Sequence, residues 1–305
     1  MRIAVIGLGD IATKAYLPLL TRMSELDLVL CTRNPEKLAA VAREYRIAET
    51  CRDYRELVDM NVDGVMIHTS SETHATIATF FIEQGIPVFV DKPAALNFTD
   101  YQKLHDLAEQ TSAPLFVGFN RRYIPIWGSL VARDDLRTIT WHKHRLNLVG
   151  AAQDFVLDDM IHVIDSLNLH GKIDQQDMQV SVQRQGCDIA MINLSWEENG
   201  TLFNGQMNRQ FGKTCESVSL SFDNEAYQFD SFLRGEKCES GKTERIEMAD
   251  WTDTLETKGF KAMLEDWVGV VKSGKVDEKM KLRNLSTHAF CEWLLDREEM
   301  RQLHV

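Results

Sequence analysis

The segment Arg2–Ala12, RIAVIGLGDIA, constrains the fold more than any other stretch of this 305-residue chain. Its apolar run Ile3–Ile6 is too short for a buried helix and reads as a strand covered on both faces. The run passes directly into Gly7-Leu8-Gly9-Asp10-Ile11-Ala12, where a helical pattern opens. Further runs at Leu28–Cys31, Val62–Ile67, Val88–Val90 and Leu115–Phe119 read the same way, with amphipathic stretches between them. One stretch starts at Pro35, which suits a first helical position. Another starts Thr99-Asp-Tyr-Gln102, which reads as a capping box. A strand–helix rhythm implies parallel pairing, since parallel neighbours need a long crossover. Residues 2–119 therefore predict a doubly wound parallel sheet.

The glycine turn carries chemistry. G-x-G-x-x-A between a strand and a helix is the dinucleotide fingerprint: the first glycine permits the tight turn and the second lets a pyrophosphate approach the backbone. The small third residue lets helix and strand pack closely, and the helix N-terminus offers N–H donors to an anion. Gly7, Gly9, Asp10 and Ile11 are the candidate contacts. At the end of the second strand an NAD-binding domain usually carries a carboxylate for the ribose 2′-hydroxyl. Here the strand ends Cys31-Thr32-Arg33-Asn34, with Lys37 one turn on. A hydroxyl and two cations suit a 2′-phosphate, so Thr32, Arg33 and Lys37 favour NADP(H), with NAD(H) left open.

The run Val88–Val90 ends in Asp91-Lys92-Pro93, a lysine at the lip of a core strand. Open parallel sheets deliver ligand contacts from the carboxyl ends of their strands. There a lysine can hold a hydroxyl or polarise a carbonyl, with Asp91 to counter its charge or meet the cofactor.

After about residue 123 the pattern changes. A cationic strand, roughly 138–145, precedes a helix around 154–169. Then Ala190-x-Ile192-x-Leu194-x-Trp196 and Val218-x-Leu220-x-Phe222 alternate with period two, as an antiparallel sheet with one dry face does. Two helices close the chain, the first with an apolar stripe of Phe260, Met263, Leu264, Trp267, Val268 and Val271. The fold class expected is α/β, a Rossmann sheet followed by an α+β domain on an open, mostly antiparallel sheet. The net charge of −12 and the lack of a basic stripe argue against nucleic acid. Six scattered cysteines without a Cys-x-x-Cys pair suggest reduced thiols and no metal cage. No apolar stretch is long enough to span a membrane, and MRIAVIGLGD lacks the form of a signal peptide, so a cytoplasmic location is expected.

Asp158 and His162 stand at i and i+4, so one helical face would carry both, and Asp165 follows at i+3 from the histidine. A carboxylate can orient an imidazole and keep it basic near neutral pH. From spacing alone, a helix cap and a packed core histidine fit better.

Together these motifs resemble the glucose–fructose oxidoreductase / inositol dehydrogenase / MocA-type (Gfo/Idh/MocA) family, and within it the bacterial MviM-type oxidoreductases. Gly7–Ala12 matches its nucleotide turn, and Asp91-Lys92-Pro93 its Glu-Lys-Pro signature with Asp for Glu. GFNRRY at 118–123 matches the end of the nucleotide domain, and Asp158-Asp-Met-Ile-His162 matches the D-x-x-x-H helix. The resemblance implies a nucleotide domain at 1–121 and a substrate and oligomerisation domain at 122–305, the final helices packing back on the first. It implies hydride transfer between nicotinamide and a carbinol or carbonyl of a sugar, sugar derivative or cyclitol. Lys92 and His162 would converge on the nicotinamide, Asp158 tuning the histidine. Thr69-Ser70-Ser71 and His74 stand where the family has Thr-Pro-Asn and a histidine, making Thr69, Ser70 and His74 further cofactor contacts. Asn120, Arg121 and Tyr123 would meet substrate, as would His144 and Arg145 of KHRLNLVG, which resembles the H-R-N stretch of inositol dehydrogenases with Leu146 for asparagine. Lys143 and Arg145 would share one strand face opposite His144, so that, beside Arg121 or Arg122, an anionic sugar is one possible substrate and solvated or cross-paired charges the other reading. A homodimer or homotetramer would cover the exposed sheet face. The other functions in view are a redox-sensing NADP(H)-binding regulator without turnover and a reductase of a non-sugar substrate.

Overall fold

Why the core strands are so uniformly apolar is plain in the computed structural model, which describes residues 1–300. The chain divides into two compact units, residues 1–119 with 260–278, and residues 120–259 with 279–300.

In the first unit a parallel sheet has the order β3-β2-β1-β4-β5-β6. Its strands are β1 (Arg2–Ile6), β2 (Asp27–Cys31), β3 (Glu49–Cys51), β4 (Gly64–Ile67), β5 (Val88–Val90) and β6 (Leu115–Val117). Helices cover it, so Val5, Val65, Met66, Val88 and Phe89 lose all solvent contact. The edge strand β3 is an addition to the sequence reading: its Glu49 and Thr50 are exposed, and it has no apolar run to betray it. Two other strands are shorter than predicted, β4 starting at Gly64 and β6 stopping at Val117.

The helix Pro35–Tyr45 starts as expected, with Asn34 Oδ1 accepting from the Glu36 and Lys37 N–H groups at 3.0 Å. The capping box at Thr99 is corrected. The helix runs Phe98–Thr111 and its cap is Asn97, whose Oδ1 accepts from Asp100 N at 2.8 Å. Asn97 has extended backbone with φ −144°, whereas Thr99 already lies inside the first turn. The helix Phe260–Ser273 completes this unit by burying Met263, Leu264, Trp267 and Val268. Trp267 meets Phe89 and Phe116 at 5.8 and 5.9 Å between ring centroids. Each such side chain contributes roughly 1.5–3 kcal/mol by leaving water.

The second unit is built on an eight-stranded sheet of order β14-β13-β12-β11-β7-β10-β9-β8. The strands are β7 (Thr138–His144), β8 (Gln179–Gln185), β9 (Asp188–Glu198), β10 (Thr201–Asn208), β11 (Cys215–Phe222), β12 (Glu225–Phe229), β13 (Arg234–Glu239) and β14 (Lys242–Glu247). Every pairing is antiparallel except β7 with β10. One face buries Ile139, Trp141, Phe203, Met207, Val218 and Leu220. The helix Ile161–Leu167 packs on that face at Gly205, where a Cβ would come within 2.8 Å of Leu167 and 2.9 Å of Val163. A π-helical turn, Phe155–Met160, leads into it. The opposite face presents half-buried Thr140, His142, Asn193, Ser195, Asn204, Gln206, Ser217 and Ser219.

Candidate active site

Register aligns the carboxyl ends of the strands in the first unit. Ile6 pairs with both Cys31 and Ile67, and Ile67 pairs with Val90. Backbone hydrogen bonds continue one residue further, Gly7 N to Cys31 O, His68 N to Ile6 O, and Asp91 N to Ile67 O, at 2.9, 2.8 and 3.0 Å. Thr32, Gly7, His68–Thr69 and Asp91–Lys92 therefore line one edge of the sheet.

At that edge Gly7 has φ +88°, and a Cβ there would lie 2.7 Å from the His68 carbonyl and Thr69 N. Gly9 has open space where its Cβ would be. The helix begins at exposed Asp10 and Ile11, while Ala12 is fully buried against the strand side. Asp10 makes an exposed ion pair with Lys14. Thr32 is half-buried, and Arg33 and Lys37 are exposed, Arg33 having no ion pair to another described residue.

Asp91 is buried, its Oδ1 accepting from Lys92 N at 2.9 Å and its Oδ2 3.3 Å from His68 Nδ1. Burial works against its charge, but His68, Lys92 and His74 outweigh that and hold the carboxyl below its ordinary pKa. Lys92 itself is half-buried, and its bond to Pro93 is cis. His74 stands between Pro93 O at 2.8 Å and Thr69 O at 3.0 Å, tying the loop after β4 to the loop after β5. Thr69 Oγ1 accepts from Thr73, and exposed Ser70 precedes the helix Ser71–Glu83.

In the second unit the dry face of the sheet turns ionic at one end. Lys143, Glu216 and Arg209 continue the rows of Trp141, Val218 and Met207. Arg121, on the turn Asn120–Tyr123, grips Glu216 through Nε at 3.2 Å and Nη2 at 2.9 Å. Trp141 Nε1 donates to the same carboxylate at 2.9 Å. Arg121 Nη1 also lies 3.3 Å from both ring nitrogens of buried His162, and 3.1 Å from Asn120 Oδ1. Asp159 takes Arg145 at 2.7 Å and Arg209 at 2.9 Å, with Lys143 Nζ at 3.4 Å.

Burial raises the cost of charging Glu216, yet Arg121 and Lys143 pull its pKa down to about 2, and Asp159 is likewise depressed by its three cations against burial. For Lys143 burial and then Arg121 dominate over the two carboxylates, taking its pKa down to about 7. Asp165 is committed elsewhere, to Arg122 Nε at 3.0 Å and Thr287 Oγ1 at 3.0 Å.

Several site candidates thus come together and others separate. Arg121 and His162 are in contact, and Arg145 joins their network through Asp159 and Lys143. His144 lies on the opposite face, with His142 at 5.4 Å and Phe211 at 4.2 Å between ring centroids; burial lowers its pKa to about 4. Asp158 is exposed, whereas its neighbour Asp159 is buried. Tyr123 is half-buried beside Arg122. Glu216, Asp159 and Arg209 were missed from sequence. Among the described residues no cluster of His, Cys, Asp or Glu could hold a metal ion, and no helix is long and apolar enough to cross a membrane.

A glycine turn between strand and helix, on the carboxyl edge of a doubly wound sheet, defines a nucleotide-binding protein of the dehydrogenase class. Residues 1–119 match a family model described as an oxidoreductase family with an NAD-binding Rossmann fold. A Gfo/Idh/MocA family oxidoreductase from Vibrio cholerae is 43% identical in sequence, with a TM-score of 0.94 over 96% of each chain. The chain belongs to the Gfo/Idh/MocA oxidoreductase family. It is also similar to the dehydrogenase MviM of Clostridium difficile, at 25% identity and TM-score 0.88 over 97% of this chain and 99% of that one. The scyllo-inositol 2-dehydrogenase (NAD(+)) of Bacillus subtilis is 33% identical over 233 residues, 74% of this chain and 65% of that protein.

Proposed function

We propose that this protein transfers a hydride between NADP(H) and a carbinol or carbonyl carbon of a sugar, sugar derivative or cyclitol. The observation that carries the reading is the single sheet edge on which Gly7, Thr32, Asp91 and Lys92 stand in register. A glycine packed against backbone at position 7, open space at Gly9 and a helix opening at Asp10 fit a pyrophosphate. Arg33, without an ion pair among the described residues, fits a 2′-phosphate together with Thr32 and Lys37; Ile11, Thr69, Ser70, His74 and Asp91 complete the cofactor's contacts.

Bound nicotinamide supplies the hydride acceptor, or in the reverse direction the donor. When a carbinol C–H bond breaks, its O–H proton must leave as well. The imidazole of His162, with Arg121 Nη1 3.3 Å from both of its ring nitrogens, takes that proton on its unprotonated nitrogen. The ammonium of Lys92 stabilises the oxygen as it gains negative charge. Asp158, four residues before His162, tunes the imidazole, while Asn120, Arg121 and Tyr123 hold the substrate. The first unit serves the nucleotide and the second the substrate, and the second's sheet face bearing Thr140, His142, Asn204 and Gln206 pairs with another copy of the chain.

Titrating the protein with NADPH and with NADH tests the cofactor assignment. NADPH should bind at least about tenfold more tightly, a difference of about 1.4 kcal/mol, and Arg33→Ala should remove most of that preference. Tighter binding of NADH would refute the choice.

A further inference from the structure

We propose that the substrate is an anion, a sugar acid or sugar phosphate, whose charged group is held by Lys143 and Arg145. The inference rests on the hydride-transfer reading for what happens to the substrate, but not for the binding itself.

Charge is the first argument. In the network below the helix Phe155–Leu167, the cations Arg121, Lys143, Arg145 and Arg209 share only the carboxylates of Asp159 and Glu216 through the ion pairs between them. Two positive charges are left over within that network when Lys143 is protonated. The side chains of Lys143 and Arg209 are 3% and 5% exposed, so water screens little of their charge, while Arg121 and Arg145 are 15% and 35% exposed. A neutral sugar entering here would leave that charge in place and remove more water from it. A carboxylate or phosphate would neutralise it.

Geometry is the second. Lys143 Nζ lies 3.4 Å from Asp159 and 3.8 Å from Glu216, both longer than the roughly 2.7–2.9 Å of a charge-assisted hydrogen bond. Its three donors are therefore not used at full strength by the protein. Arg145 turns Nε and Nη2 to one oxygen of Asp159, leaving Nη1 without a partner among the described residues, and its side chain is 35% exposed. Arg145 is the more exposed of the two cations, at 35% against 3% for Lys143. Arg121 links their network to His162 through contacts of 3.3 Å, so an anion held by them would lie in the same network as the proposed base.

The depressed pKa of Lys143, about 7, has the sign this predicts. Burial and Arg121 favour the neutral amine, Glu216 and Asp159 oppose them, and Arg145 adds to the repulsion. A bound anion would reverse the balance and raise that pKa. Anion binding should then take up protons near neutrality and weaken as pH rises. The other groups facing Lys143 are the guanidinium groups of Arg209, Arg145 and Arg121 and the carboxylates of Asp159 and Glu216, with His162 beyond Arg121.

Calorimetric titration of the full chain decides the matter, with matched probes: glucose, gluconate, glucuronate, glucose 6-phosphate and inorganic phosphate. At least one sugar anion should bind about tenfold or more tightly than glucose and than inorganic phosphate, and more tightly near pH 6 than near pH 9. A preference for gluconate or glucuronate identifies a carboxylate; one for glucose 6-phosphate identifies a phosphate. Lys143→Met and Arg145→Gln should each lose at least about tenfold for that anion. Arg145 is the less buried of the two, and circular dichroism establishes that each variant is folded. No anion binding across the panel, binding no tighter than glucose or phosphate, or full anion affinity in both folded variants overturns the proposal. NADPH formation from neutral sugars alone would also overturn it while leaving hydride transfer standing. Anion binding without any turnover would uphold the subsite and count against hydride transfer.

Discussion

Gly7 sits at φ +88°, with the backbone of His68 and Thr69 2.7 Å from where a Cβ would be. Neither conflict can be relieved by a side-chain rotation. Gly7→Ala should therefore destabilise the first unit by at least about 1–3 kcal/mol and abolish NADPH binding, read by thermal melting and titration. An unchanged melting temperature would contradict the packing. The buried carboxylates make a second prediction. Glu216, at about 2, and Asp91, Asp159 and Asp165 all have folded pKa values below their unfolded ones. Such groups contribute stability that is present above their unfolded pKa and is lost as pH falls through the folded value. Melting temperature should accordingly fall steeply from about pH 4.5 toward about pH 2, and Glu216→Gln should flatten part of that fall. A flat acid limb in the wild type would contradict the network. Glu216 and Arg209 were legible in principle: both hold the parity of buried apolar neighbours, Val218-x-Leu220 and Phe203-x-Gly205-x-Met207. A charge at a dry-face position needs a partner, and the alternation already showed which face was dry.

At the scale of the element, the helix bearing His162 depends on the turn before it. Between Phe155 and Met160 the helix is π-helical, which widens the turn beyond 3.6 residues and shifts which side chains face the sheet. Asp159 is buried and Asp158 exposed, a distinction that i, i+4 counting on an ideal helix does not contain. The same helix approaches β10 closely because residue 205 has no side chain. Gly205→Val would drive a branched Cβ into Val163 and Leu167, costing about 1–3 kcal/mol. It should also lower kcat by moving His162, measured as a melting shift beside a turnover assay. A variant with unaltered melting and turnover would show that the close approach is not needed. Elements with continuous apolar runs, such as β1 and β5, were readable because burial on both faces leaves an unbroken signature. The edge strand β3 and the hairpins β12–β14 were not, since their exposed polar residues resemble loop sequence.

For the whole molecule, the chain divides into two compact units, and the sequence announced them by a change of period from parallel-sheet runs to alternation. What the sequence could not convey was long-range pairing of charge, such as Arg121 with Glu216 across 95 positions, because no local pattern links such residues. The central claim, hydride transfer promoted by Lys92, predicts a specific failure when that ammonium is removed. The direct measurement is NADPH absorbance during incubation with NADP and a panel of polyols, sugars, sugar acids and sugar phosphates, for wild type and Lys92→Ala. Substrate-dependent NADPH formation should appear in the wild type and fall by about 10²–10⁴ in the variant, while the folded variant still binds NADPH. Full turnover by Lys92→Ala, or tight cofactor binding by the wild type with no turnover on any member of the panel, would contradict it.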